Sequence, residues 1–154
     1  MGVEIERKFL LANDDWRELA DPELLRQGYL SSTRERVVRV RIEGHHAMLT
    51  IKGPNVGASR GEWEYPIPLA DANELLDGLC EQPLIEKYRR RIMYAGMVWE
   101  VDEFLGANFG LVVAEIELHS EDQPFDKPDW VGEEVSDDAR YYNANLIRHP
   151  YSQW

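Results

Sequence analysis

The sequence predicts an α+β fold in which an antiparallel β-sheet closes into a barrel, with its charged face lining the lumen and its helices packed outside. Three observations carry this. Seven segments alternate apolar and charged residues with the period of two expected of a strand that packs on one face. The charged face of nearly every segment is pure in sign, whereas the wet face of an open sheet would mix Thr, Ser, Gln and Lys. Turn-forming residues separate several of these segments, as in antiparallel hairpins. Closing a sheet of this many strands removes its exposed edges.

The first strand, residues 2–10, sets the pattern. Val3, Ile5 and Phe9 share the face that packs; Glu4, Glu6 and Lys8 share the other, spaced about 7 Å apart at roughly 3.3 Å of rise per residue. Residues 13–19 read as a short helix capped by Asn13 or Asp14 and stopped near Pro22. Residues 27–30 begin a new extended piece. In residues 36–42, Val38, Val40 and Ile42 take one face, and Arg39 and Arg41 the other. A turn at residues 43–46 leads into residues 47–52, where Leu49 and Ile51 lie opposite Thr50 and Lys52. His45 and His46 are adjacent, so they cannot share a strand face, and they read as exposed turn residues rather than metal ligands.

Residues 53–61 are glycine-rich. They lack the Gly-Lys-Ser/Thr ending of a phosphate-cradling loop and lead into a strand, which makes them a hairpin loop. The strand at 62–67 sets Trp63, Tyr65 and Ile67 against Glu62 and Glu64. A helix follows at 71–80, capped by Asp71 with Glu74 three residues on, its stripe formed by Leu75, Leu76 and Leu79, and Pro83 ends it. Lys87, Arg89 and Arg91 share a face of the strand at 85–92, and Glu100 and Asp102 share one at 98–102. In residues 111–118, Ala114, Ile116 and Leu118 oppose Glu115 and Glu117. The tail from Ser120 is a Pro/Asp-rich loop through Trp130, followed by a C-terminal helix over 137–146.

With 154 residues and no linker or low-complexity run, the chain is expected to form one domain, 1–154. No run approaches a membrane span, and the acidic start lacks the basic and apolar regions of a signal peptide, so a cytoplasmic protein is expected. The lone Cys80 lies in the helical apolar stripe and reads as a buried thiol. A net charge of −12 argues against nucleic acid as a partner. Yet Lys and Arg cluster at 34–41 and 87–91, against the net sign, and this points to a small polyanionic ligand.

The charged faces have no stability rationale. Exposed ion pairs contribute only about 0–1 kcal/mol each. Enclosed in a lumen without partners, such charges would cost several kcal/mol per ion. The lumen is therefore expected to hold water, divalent cations and a polyanion. Carboxylates without Cys or a convincing His suit Mg²⁺ or Mn²⁺ rather than zinc. Guanidinium and ammonium groups suit phosphate oxygens.

The ordered set Glu4-Ile5-Glu6-Arg7-Lys8, Arg39-Val40-Arg41, Thr50-Ile51-Lys52, Glu62-Trp63-Glu64, Lys87-Tyr88-Arg89, Asp102, Glu115-Ile116-Glu117 and Trp130 to Ser136 resembles the CYTH, or triphosphate tunnel metalloenzyme, superfamily along the whole chain. Its N-terminal signature is ExExK. The resemblance implies an eight-stranded antiparallel tunnel and divalent-metal-dependent hydrolysis of a triphosphate. Residues 27–30 and 140–143 look most like those of the stand-alone bacterial members, several of which are inorganic tripolyphosphatases.

Carried over by that resemblance, Glu4, Glu6, Glu115 and Glu117 would hold the metal, and Glu62, Glu64 and Asp102 would support a second metal and orient water. Lys8, Arg39, Arg41, Lys52, Lys87 and Arg89 would grip the phosphates, with Arg91 continuing the basic face. Lys8, Lys52 and Tyr29 are the expected catalytic residues, although Tyr29 reads equally as an aromatic packing at a strand start. Glu100, at a strand end, fits a rim or a site position. The expected reaction is in-line attack of water on tripolyphosphate, giving pyrophosphate and phosphate, in a monomer or homodimer. The same lining would serve a class IV type adenylyl cyclase, a thiamine triphosphatase or a non-catalytic polyphosphate- or nucleotide-binding module. The paired carboxylates favour an enzyme.

Overall fold

In the computed structural model, which describes residues 2–154, the alternating segments do close into a barrel. The strands are β1 (Gly2–Leu11), β2 (Glu23–Thr33), β3 (Arg36–Glu43), β4 (His46–Lys52), β5 (Ser59–Pro66), β6 (Ile85–Tyr94), β7 (Met97–Phe104), β8 (Val112–Glu117) and β9 (Val131–Glu134). Around the ring the order is β1-β5-β4-β3-β2-β6-β7-β8 and back to β1, antiparallel throughout. The first strand closes the circle by splitting its pairing: Gly2–Ile5 pair with β5, and Glu6–Phe9 with β8. The short β9 then pairs with β1 at Phe9 and Leu11, on the side that β5 has left.

Helix α1 (Leu69–Gly78) and the 3₁₀ turn that carries Trp16 cover the outside. The helix lays Ala72 and Leu76 on Val40 and Ala47, with Cys80 buried beside them. Gly28 makes this approach possible, because a Cβ there would stand 2.6 Å from Leu84 Cδ2, 2.9 Å from Cys80 Cβ and 3.0 Å from Leu76 Cδ2. On the opposite side Trp16, fully buried, joins Phe9, Trp99 and Trp130 over the outer faces of β1, β7 and β8. Phe9, Trp99, Phe125 and Trp130 pack edge to face, an arrangement worth about 0.5–1.5 kcal/mol per pair beyond burial. No helix among the described residues is long and apolar enough to cross a membrane.

The structure departs from the sequence reading in four elements. Residues 13–19 give a 3₁₀ turn at Asp15–Glu18, with the Asn13 side chain accepting from the Asp15 amide at 2.9 Å. Helix α1 begins two residues before Asp71; Pro68 takes the cap position, without a side-chain cap, directly after the Ile67 amide has bonded to Ala47 at the edge of β4. The expected C-terminal helix is only a 3₁₀ turn at Ala139–Tyr141 and the four-residue α2 (Asn143–Leu146), because Tyr142 between them is extended at φ −70°, ψ 129°. Strand β9 fills part of the stretch between the expected loop, which ends at Trp130, and the expected helix, which starts at Asp137, where no element was assigned.

A further difference concerns the lumen. Its faces are charged through the middle, but at one end Tyr29, Val37, Ile85, Phe104, Leu111 and Val113 point inward and meet Val135, Tyr141, Leu146 and Ile147 of the C-terminal segment. These inward apolar residues occupy the same alternating positions as the charges, so period two could not separate them.

Candidate active site

The lumen is a cavity of about 830 Å³. Every expected site residue except Asp102 lines it, each projected by the alternation of its strand: Glu4, Glu6 and Lys8 from β1, Arg39 and Arg41 from β3, Lys52 from β4, Glu62 and Glu64 from β5. Lys87, Arg89 and Arg91 come from β6, Glu115 and Glu117 from β8, and Tyr29 from β2.

Opposite charges meet across it. Lys8 Nζ lies 2.9 Å from Glu115 Oε1, and Lys52 Nζ lies 2.6 Å from Glu4 Oε2 and 3.6 Å from Glu62. The Lys52–Glu4 contact is an ion pair without hydrogen-bond geometry, leaving Glu4 Oε2 buried with no hydrogen-bond donor among the described residues. Thr50 Oγ1 donates to Glu64 at 2.7 Å and receives Arg39 Nη2 at 3.3 Å.

Asp102 sits differently from the expectation that it supports a metal. It is 1% exposed, forms a bidentate pair with Arg89 at 2.7 and 2.8 Å, and receives Lys87 Nζ at 2.8 Å. Burial works against its ionisation, but Arg89 and Lys87 outweigh this and hold its pKa at about 2. Asp102 is the counter-ion beneath two lining cations. At one mouth Arg91 is bound by Glu43 at 2.5 Å and by Glu23 and Glu100 at 3.2 Å. Glu100 thus belongs to the rim and also reaches Arg89 at 3.1 Å.

Two features show what the lumen lacks. Arg41 has no ion pair among the described residues; burial first, then Arg39 and Arg89, lower its pKa to about 10. Anionic oxygens there would relieve three crowded guanidinium groups. Glu6 has the opposite problem. Its side chain is 31% open to the lumen but enclosed by protein, and burial, then Glu115 and Glu4, raise its pKa to about 8. Glu117 is raised as well, by burial and then by Glu6 and Glu100.

The donor set fits a hard divalent cation in this respect. Glu4, Glu6, Glu115 and Glu117 bring surplus negative charge to adjoining positions of β1 and β8, and offer only carboxylate oxygen. Among the described residues no three of these groups already stand in a ligating arrangement, because Glu4 and Glu115 are drawn to Lys52 and Lys8.

Residues 2–151 match the CYTH domain model. The chain belongs to the CYTH family. A protein of Acetivibrio thermocellus named inorganic triphosphatase is 51% identical over 154 residues, all of this chain and 99% of that protein. One of Nitrosomonas europaea with the same name is 40% identical over 149 residues, 94% of this chain and 96% of that one. A crystal structure of the inorganic triphosphatase NE1496 superposes with a TM-score of 0.67 at 36% identity, covering 96% of this chain and 95% of that one.

The cavity also has lining residues that the sequence reading passed over. Arg60 precedes Glu62 and Glu64 on the same face of β5, so period two would have found it had the strand been started at Ser59. It donates twice to Gly53 O, at 2.9 and 3.1 Å, tying the loop that follows β4. Asn143 and Arg148 come from the C-terminal segment, where no periodic signal exists, whereas Arg34, already counted in the basic cluster at 34–41, reaches the cavity from a turn.

Proposed function

We propose that the chain is a divalent-metal-dependent inorganic triphosphatase that cleaves tripolyphosphate to pyrophosphate and phosphate. The observation that carries this reading is the coexistence in one lumen of Arg41, a guanidinium crowded by Arg39 and Arg89 and in no ion pair among the described residues, and Glu6, a carboxyl crowded by like charges. One asks for a polyanion and the other for a cation, and a metal–triphosphate complex supplies both. The two full-length relatives named inorganic triphosphatase favour this substrate over nucleotides and thiamine triphosphate.

Lys8, Arg39, Arg41, Lys52, Lys87 and Arg89 bind the phosphoryl oxygens, with Arg91 at the rim. Glu4, Glu6, Glu115 and Glu117 hold the cation, Mg²⁺ or Mn²⁺, and Glu62 and Glu64 support a second one or orient water. When bound, a divalent cation supplies Lewis-acid neutralisation of phosphoryl charge. Water adds in line to the terminal phosphorus while the bridging P–O bond breaks and pyrophosphate leaves. The lining guanidinium and ammonium groups meet the charge on the non-transferred oxygens. Lys8 and Lys52 act in that role at the reacting phosphoryl group, and Tyr29 acts through its hydroxyl. The chain works as one domain, monomeric or homodimeric and cytoplasmic, with neither nucleic acid nor membrane as partner. Phosphorus NMR of the products tests the reading: equal pyrophosphate and orthophosphate from tripolyphosphate supports it, and three orthophosphates or no reaction contradicts it.

A further inference from the structure

The C-terminal segment puts an uncharged amide beside the buried cations of the lumen. Asn143 Oδ1 receives Lys87 Nζ at 2.9 Å and Gln27 Nε2 at 3.3 Å. The amide's orientation is fixed by chemistry, because an ammonium cannot accept a hydrogen bond and must face oxygen. Asn143 Nδ2 therefore points the other way. It has no hydrogen-bond partner among the described residues, is not a sealed-off polar atom, and belongs to a residue that lines the cavity.

The constraint propagates. With Asn143 oxygen facing it, Gln27 must present its Nε2, even though this leaves Gln27 Oε1 buried without a partner among the described residues. The same Nε2 donates to Tyr29 Oη at 3.0 Å, so the hydroxyl accepts and its own proton is free for another acceptor. Tyr29 also lines the cavity.

The geometry points to Asn143 as a substrate-binding residue: its Nδ2 donates to a non-bridging phosphoryl oxygen beside Lys87, with the Tyr29 hydroxyl as a second neutral donor. This rests on the triphosphate reading above and adds to it a residue outside the charged alternation. A neutral donor suits this place, since Lys87 and Arg89 already share one buried counter-ion, Asp102, and a further cation would add to that positive excess.

The test is calorimetric titration of tripolyphosphate into the metal-chelated full chain, for the wild type, Asn143→Ala, Asn143→Leu, Lys87→Met and the double variant Asn143→Ala/Lys87→Met. Thermal unfolding accompanies each titration. Hydrogen bonds to charged groups are worth enough that each Asn143 variant should bind about tenfold more weakly. The loss should persist in the Lys87→Met background, because a residue that merely positions Lys87 would add nothing there. Asn143→Leu keeps the volume, so a loosened segment does not explain a loss common to both variants. Wild-type affinity in either variant, or no further loss without Lys87, overturns the inference. Failure of the wild type itself to bind tripolyphosphate, with chelator and again with Mg²⁺ or Mn²⁺ restored, overturns the triphosphate reading instead.

Discussion

Glu6 and Glu117 stand directly opposite one another where β1 pairs with β8, and both face the lumen. Like charges in that relation destabilise a sheet. The next pair along the same ladder, Lys8 and Glu115, is an ion pair at 2.9 Å. The sequence thus places a repulsive pair and an attractive pair side by side on one wall.

That relationship predicts a pH effect on the metal-free protein. Between the ordinary value of 4.5 and the folded value of about 8, Glu6 keeps a proton in the folded state that the unfolded chain has released. Stability therefore falls as pH rises through that window, and Glu117, raised too, adds the same sign. Glu115 and Asp102, both lowered, act only in more acidic solution, where their contribution is lost as pH falls. Thermal midpoints measured with chelator should drop across the window, recover with Mg²⁺ or Mn²⁺, and flatten in Glu6→Gln. A wild-type midpoint independent of pH would speak against the crowding.

Arg41→Ala should separate function from folding. The guanidinium has no ion pair to lose among the described residues, so unfolding free energy should stay within about 0.5 kcal/mol of the wild type. Tripolyphosphate turnover should fall by about 10²–10³-fold, the usual effect of removing a group that stabilises transition-state charge. Lys52→Ala should also lose turnover. Normal rates in both variants would remove the lumen from the reaction.

Asp102→Ala should do the reverse and unfold readily. Its loss leaves Arg89 and Lys87, 5% and 2% exposed, without their shared counter-ion, a loss worth about 3–5 kcal/mol. Urea titration measures it, and a loss below about 1 kcal/mol would show that the lumen readily re-pairs its charges.

Gly28→Ala tests the seat of helix α1. A methyl at 2.6–3.0 Å from Leu84, Cys80 and Leu76 must displace the segment that covers β2. Overpacking of this kind costs about 1–3 kcal/mol. Unchanged stability would mean that the helix and the chain leaving it slide freely on the barrel.

Much of this architecture is legible in the residues because a barrel wall has one period. Glu4, Glu6 and Lys8 or Arg39 and Arg41 can be assigned to the lumen by counting in twos, and the structure puts them there. What counting cannot tell is how deep a lining position lies. Ile85 and Val113 share faces with Lys87 and Glu115 yet belong to the apolar end, and Asp102 shares one with Glu100 yet is buried under Arg89. Strand β9 is four residues long and contains Gly132, too short to show alternation. Asn143 reaches Lys87 across 56 positions of sequence, a meeting that no local pattern announces.

The central claim is tested most directly by phosphate release from tripolyphosphate, pyrophosphate and ATP side by side, with Mg²⁺, Mn²⁺ or chelator, and with cyclic AMP followed in the ATP reactions. Metal-dependent release that strongly prefers tripolyphosphate is the predicted result. Cyclic AMP with pyrophosphate, or silence with every substrate and metal, would contradict it.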